Sequence, residues 1–393
     1  MRIIQLYKDY YPPTVGGIEQ TVARMSTWLA KQGAEVTVLT SNPGSRQTVT
    51  ETVDGVRVIR CGEWMRALSA PLCPAMPATL GRLRADICHL HYPSPPGEVS
   101  WFMARPRGAM VITWHCDIVR QKAVLPVYGH FIRSVLSHTS VVMPTYEGQA
   151  EQSPFLRHIP EKIRVLPLGI ELPAADSPSD GDPFRRKARW GDRPVILFVG
   201  RLVAYKGLEV LLQAMRSVDA TCVIVGSGPE SERLKSLSGE WGLSGKVNFV
   251  GRIEPRSVPE YIAAADVGVL SSIARQETYG LAMAEMMSRG VPMVSTELGT
   301  GTSFVNLHGV TGLVVPPHDP AALAAALNRI LEDTALRVQF SHAARDRARA
   351  LFSADAMMQG LLSIYQAVLD GKLMPLERAG SGAAREWESA RST

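Results

Sequence analysis

Residues 195–207 read VILFVGRLVAYKG. Val195–Val199 is a short apolar run of β-forming residues, Gly200 interrupts it, and a helical pattern follows over Gly207–Met215. Strand, glycine loop and helix make the repeating unit of a parallel α/β sheet. Such sheets bind ligands at the carboxyl ends of their strands, which is where this loop sits. Arg201 and Lys206 stand five apart in it. Arg201 suits the oxygens of a diphosphate, which a guanidinium grips bidentately, and Lys206 adds a point charge.

The same unit recurs outward from this stretch. Downstream, strands are predicted over Thr221–Val225, Lys246–Val250, Val267–Leu270, Pro292–Ser295 and Gly312–Val315, with helices over Glu230–Gly239, Val258–Ala264 and Leu281–Ser288. Upstream, strands are predicted over Arg2–Leu6, Glu35–Thr40, Val56–Arg60, Asp86–Leu90, Ala109–Thr113, Ser140–Met143 and Ile163–Leu166. The helix Gly17–Gln32 carries Ile18, Val22, Met25 and Leu29 at three- and four-residue steps, and Gly33 ends it as a C-cap would. Between the two series lies PAADSPSDGDPFRRKARWGDRP, residues 173–194, which reads as a linker. The expected fold is α/β: two doubly wound parallel-sheet domains, 1–172 and 195–352, with a cleft between them. Helices follow over Pro320–Leu331 and Ala335–Leu351. A last helix, within 353–372, is expected to pack back toward the first domain, and 373–393 reads as a polar tail.

Composition narrows the class of function. The chain has 393 residues, 46% hydrophobic and 20% charged, which excludes a disordered protein. No apolar run reaches the roughly 18–20 residues that span a bilayer. The start, MRIIQLYKDYYPP, lacks the apolar stretch and cleavage site of a signal peptide. Five cysteines, Cys61, Cys73, Cys88, Cys116 and Cys222, form no CxxC pair, as in a reduced cytoplasmic protein. The net charge of +5 resides in the first half. Residues 1–170 hold 18 Lys+Arg against 12 Asp+Glu, and the rest 24 against 25. That excess implies an anionic partner. Runs of Arg/Lys with interleaved stacking aromatics are missing, which argues against nucleic acid.

The motif with most chemistry is ETYGLAMAE, residues 277–285. Glu277 precedes Gly280 in a loop, and Glu285 lies on the helix that begins at Leu281. A helix start presents unpaired N–H groups and a positive dipole end, which suit a phosphate. Carboxylates beside it accept hydrogen bonds from the vicinal hydroxyls of a ribose or hexose. Gly226-Ser-Gly228-Pro and Gly299-Thr-Gly301-Thr are glycine loops that would let a ligand approach closely. In the first half, Gly16-Gly17 precede the first long helix, at a phosphate-cradle position. Thr113-Trp-His115-Cys-Asp117 puts His115 and Asp117 at a strand end. Cys88, His89, His91, His115 and Cys116 lack zinc spacing, so no metal is expected. Asp180-Gly-Asp182 falls in the linker and reads as a turn.

In order, Gly16-Gly17, VITWHCD (111–117), VGRLVAYKG (199–207), VGSGPE (225–230), ETYGLAMAE (277–285) and GVTGLVVPPHDP (309–320) resemble the family 4 retaining glycosyltransferases, enzymes with two facing Rossmann-like domains, the GT-B fold. The resemblance spans residue 1 to about 372. DICHLHYP, TWHCDIVRQK and GTGTSFVN look most like members that build bacterial O-antigens and exopolysaccharides, many of them mannosyltransferases.

The resemblance implies roles. Arg201 and Lys206 would hold the donor diphosphate, Glu285 the nucleotide ribose, and Glu277 the donor-sugar hydroxyls. His115 would contact the donor sugar, and Gly16 and Gly17 would approach the diphosphate as the domains close. Gly280 and Leu281 would border the donor. It implies no cofactor and no metal, a nucleoside diphosphate sugar as donor, GDP-mannose somewhat favoured over a UDP-hexose, and a glycan or lipid-linked glycan as acceptor. The alternative of another class is a non-catalytic nucleotide-sugar-binding module, which the complete set Arg201, Lys206, Glu277 and Glu285 argues against. The first domain would bind the acceptor. Its segment 118–137, IVRQKAVLPVYGHFIRSVLS, mixes Arg120, Lys122 and Arg133 with apolar residues and, with Asp117, suits an acceptor or an anionic membrane surface. The alternative is an ordinary solvated helix face. A cytoplasmic protein, peripheral at the inner face of the membrane, is the resulting expectation.

Overall fold

A computed structural model describes residues 1–14, 16–67, 69–118, 125–173, 190 and 192–372. The chain divides into two units. Met1–Leu168 is joined by the segment that begins at Asp355, and Gly169–Ala354 forms the second. Most of the linker span 173–194 and the tail 373–393 lie outside the described residues.

The first unit holds β1 (Arg2–Leu6), β2 (Glu35–Asn42), β3 (Val49–Val53), β4 (Val56–Gly62), β5 (Met65–Ala67), β6 (Ala70–Leu72), β7 (Ile87–Tyr92), β8 (Ala109–Trp114) and β9 (Val141–Pro144). Seven of these form a sheet in the order β3-β4-β2-β1-β7-β8-β9, parallel except at the β3–β4 edge. Leaving out β3, the order runs 3-2-1-4-5-6 and reverses between β1 and β7, the point at which such sheets bind ligands. Every residue of β7 is buried, because helices cover both faces of a parallel sheet.

The second unit holds β10 (Val195–Val199), β11 (Thr221–Val225), β12 (Val247–Gly251), β13 (Val267–Leu270), β14 (Met293–Thr296) and β15 (Gly312–Val315). Its six strands are all parallel, in the order β12-β11-β10-β13-β14-β15. This is again 3-2-1-4-5-6, with the reversal between β10 and β13. Those two strands pair only at Ile196↔Val267 and Leu197↔Gly268. The pairing stops there, and the loops that follow the two strands are joined by hydrogen bonds of their own.

Two local expectations change. Ile163–Leu166 is no strand: it adds one bridge, Val142↔Ile163, and two backbone bonds alongside β9. In addition β3 and the β5–β6 hairpin appear. Four of the five β3 residues are exposed, so no apolar run marks it. Its signal is Asp54-Gly55, both at positive φ (48° and 80°), a two-residue hairpin turn.

Candidate active site

The β10 loop and the β13 loop meet through one ion pair. Lys206 ends the turn Ala204–Lys206, and Gly207 follows at φ 62°. A Cβ on Gly207 would lie 2.2 Å from the Ser271 carbonyl oxygen, so only glycine lets the two loops come this close. Ser271 Oγ donates to the Lys206 carbonyl at 3.0 Å, and the Ile273 amide to Tyr205 at 2.8 Å. So held, the Lys206 ammonium reaches Oε2 of Glu277. Ser272 Oγ donates to the same oxygen at 2.9 Å, and Thr300 Oγ1 to the Glu277 carbonyl at 2.8 Å. Glu277 is 7% exposed. Its Oε1 keeps its acceptor capacity, with no protein partner among the described residues. Ser272 and Thr300 carry no local signal in the sequence, and only the adjacency of their loops marks them.

Arg201 is exposed on the Lys206 loop. Gly280, at φ 83°, precedes the helix Leu281–Ser288, on which Glu285 is half-buried one turn before Arg289. The glycines of VGSGPE admit close backbone contacts. A Cβ on Gly226 would sit 1.9 Å from the Gly200 oxygen, and one on Gly228 2.2 Å from the Leu202 oxygen. What comes close there is the chain's own β10 loop. Gly299, at φ 60°, faces open space.

In the first unit, Gly16 caps the helix Gly17–Lys31 without a side-chain bond. The Glu19 carboxylate lies over it, its Oε2 2.2 Å from where a Gly16 Cβ would stand. A carboxylate thus sits at the helix start read as a phosphate cradle, and desolvation raises its pKa. His115 follows β8, is 3% exposed, and is held at about pKa 3 by burial. Its Nε2 lies 3.1 Å from His91 Nδ1, while its own Nδ1 is buried without a partner among the described residues. Asp117 does not extend toward a ligand by Oδ1: that atom accepts from Trp114 Nε1 at 3.2 Å and Ser153 Oγ at 2.9 Å, a strap inside the unit. Arg133 is exposed, its guanidinium 5.8 Å from the centre of the Phe155 ring. Arg120 and Lys122 lie outside the described residues, as does the Asp180–Asp182 turn. Among the described residues no group of three or more His, Cys, Asp or Glu is placed to hold a metal ion. His91 is hydrogen-bonded to His115 and to Gln5, and His89 to Tyr365 and Thr113.

Comparison with known proteins bears on the family and the fold. Residues 181–347 match the model of the glycosyl transferases group 1, and residues 16–169 that of a glycosyl transferase 4-like domain. The chain is 30% identical to the O-antigen chain mannosyltransferase C of Escherichia coli, over 95% of this chain and 100% of that protein. It is 31% identical to the D-rhamnosyltransferase WbpZ of Pseudomonas aeruginosa, over 90% and 93%. Among solved structures, a sucrose-phosphate synthase from Thermosynechococcus elongatus superposes with a TM-score of 0.76 at 23% identity, covering 94% of this chain and 99% of that one. HepE of Anabaena, solved with UDP, gives 0.75 at 21%, covering 93% and 100%. These likenesses establish the GT-B fold.

Proposed function

The chain belongs to the group 1 glycosyl transferases, and on that premise we propose that it moves a hexose, mannose favoured, from a nucleoside diphosphate sugar to a growing glycan. The observation that carries this reading is the Lys206–Glu277 pair at the strand reversal of the second sheet. A nucleoside diphosphate leaves with about two negative charges, so its departure calls for cations in a sheltered place. Lys206 and Arg201 supply them. Glu277 Oε1 accepts from donor-sugar hydroxyls, and Glu285 from the ribose. The acceptor hydroxyl attacks from the face the phosphate leaves, the leaving phosphate takes its proton, and configuration is retained. No metal enters this scheme. The preference for GDP-mannose rests on the similarity to an O-antigen mannosyltransferase.

A panel of GDP- and UDP-sugars with nucleotide release as readout tests the reading. GDP release from GDP-mannose, raised by a lipid-linked O-antigen or exopolysaccharide fragment, is expected. No release with any donor would overturn it, and release from a UDP-hexose alone would replace the donor.

The acceptor's place is an anionic membrane surface at the cytoplasmic face. No helix among the described residues is long and apolar enough to cross a membrane. Trp64, Met65 and Leu72 on the β5–β6 hairpin are 61%, 56% and 51% exposed. Met103, on the helix Pro95–Ala104 that touches β6, is 67% exposed; exposed Arg105 follows this helix, and exposed Arg82 ends the helix Met76–Arg82 that touches it. Apolar side chains bordered by arginines suit anionic lipid. Flotation with vesicles containing phosphatidylglycerol, lost in Trp64→Ser/Met65→Ser, is expected; equal flotation of the variant would remove this surface from the reading.

A further inference from the structure

Six buried polar side chains of the first unit form one hydrogen-bond system at the carboxyl ends of β1, β7 and β8. Gln5 is on β1, His89 and His91 on β7, Thr113 on β8, and His115 just past it, while Tyr365 comes from the helix Ala354–Leu369. None is more than 3% exposed. Gln5 Nε2 faces Tyr365 Oη at 3.4 Å, and Gln5 Oε1 faces His91 Nε2 at 2.8 Å. Tyr365 Oη lies 2.6 Å from His89 Nδ1, and His89 Nε2 2.7 Å from Thr113 Oγ1. His91 Nδ1 lies 3.1 Å from His115 Nε2.

Burial holds His89 and His115 at about pKa 3 and His91 well below its usual value. All three are therefore neutral near pH 7, and a neutral imidazole has one N–H and one lone pair. Along the arm from Gln5 through His91 to His115 each bond then dictates the next, and the orientation of the Gln5 amide sets its polarity. In one orientation, Tyr365 donates to His89 and Gln5 Oε1 accepts from His91 Nε2–H. His91 Nδ1 is then a lone pair, which accepts from His115 Nε2–H, and His115 Nδ1 is bare. The other requires the Gln5 amide to turn over, because Oε1 cannot donate; His91 Nδ1–H then donates to His115, which carries a buried Nδ1–H with no acceptor among the described residues. An orphaned buried N–H is the rarer and costlier outcome. The 2.6 Å contact is also the length of a hydroxyl donor rather than a ring N–H donor.

We infer that Gln5 and His91 are positioning residues that lock His115 in its Nε2–H tautomer, so that His115 offers substrate a hydrogen-bond acceptor, Nδ1, for a sugar hydroxyl. The inference rests on the glycosyl-transfer reading for its substrate but not for its tautomer. His115 thereby favours a substrate with a hydroxyl at the contacted carbon over a deoxy sugar, which leaves the buried acceptor unpaired.

Two-bond nitrogen–proton NMR of histidine-labelled full-length protein reads the tautomer directly. His115 Nδ1 is expected to be pyridine-type in the wild type and in His91→Asn, whose amide oxygen replaces the His91 Nδ1 lone pair. In His91→Phe and Gln5→Leu a mixture of tautomers is expected, with donor kcat/KM reduced about tenfold and His91→Asn within about threefold of wild type. A protonated Nδ1 in the wild type would overturn the inference, as would an unchanged tautomer in folded His91→Phe. If the tautomers behave as stated but no donor is turned over, it is the transfer reading that fails.

Discussion

Lys206 and Glu277 form a buried ion pair across the strand reversal of the second sheet, linking two loops that stand 71 residues apart in the chain. The side chains are 12% and 8% exposed. Each charge therefore depends on the other, and on Ser272, for its solvation.

Lys206→Ala should lower transfer at saturating donor by roughly a hundredfold or more, as loss of a preorganised charge at a leaving group does. It also leaves Glu277 buried without its cation. The single variant should lose roughly 3 kcal/mol of stability, and Lys206→Ala/Glu277→Gln should regain much of this without regaining activity. Urea unfolding beside nucleotide-release assays measures both. Equal stability of single and double variants would show the pair to be energetically slack.

Ser272→Ala removes one hydrogen bond to the Glu277 carboxylate and leaves the ion pair. A loss of about tenfold in kcat/KM is expected, with stability lowered by about 1–2 kcal/mol in urea unfolding. An unchanged kcat/KM would mean that Lys206 alone orients Glu277.

Gly226→Ala combines a close contact with the strain of a positive φ (133°), whereas Gly299→Ala carries the strain of positive φ by itself. The first puts a Cβ 1.9 Å from the Gly200 oxygen, which must displace the Lys206 loop. Destabilisation on the order of 3 kcal/mol and a strong loss of activity are expected. The second meets nothing within 4 Å and carries only the strain of φ 60°, about 1 kcal/mol. Thermal unfolding ranks the two.

Stability should depend on pH with two opposite slopes. His89, His91 and His115 have folded pKa values below the usual 6.5, so unfolding takes up protons as pH falls below 6.5 and acid destabilises the protein. Each contributes about 1.4 kcal/mol per pH unit in that window. Glu98 is the reverse case. Burial lifts its carboxyl from 4.5 to about 8, where it accepts from the Ser94 amide at 2.7 Å and from Tyr128. The folded state holds this proton more tightly, so its contribution is full below about 4.5 and is lost as pH rises to about 8. Between 6.5 and 8 only Glu98 of these four titrates. Glu98→Gln should abolish the decline in that interval and keep the acid-side loss, as read from urea midpoints at each pH.

Much of the architecture is legible in the chain itself. β10, β11, β13 and β15 lie where the apolar runs place them, because a strand covered on both faces needs a continuous hydrophobic segment. Failures occur where that cause is missing. β3 is exposed and written in Val49-Thr-Glu-Thr-Val53, and Ile163–Leu166 is apolar yet reaches its neighbour by a single bridge. Among site residues, Glu277 and Lys206 announce themselves as charges at strand ends. Gln5, His91, Ser272 and Tyr365 do not, since an uncharged polar residue in an apolar run has no local mark of its partner.

From the sequence alone came two parallel-sheet domains, the loops that bear the charges, and the family whose motifs they match. Those are local properties, set by periodicity and by glycine within a few residues. Only the tertiary structure decided that Lys206 and Ser272 share one oxygen of Glu277, that Gly226 makes room for backbone, that Asp117 turns inward, and that Tyr365 closes a hydrogen-bond system begun at Gln5. Each of these joins residues far apart in the chain. Their energies arise from desolvation and close contact, which exist only once the strands have paired and the helices have covered them.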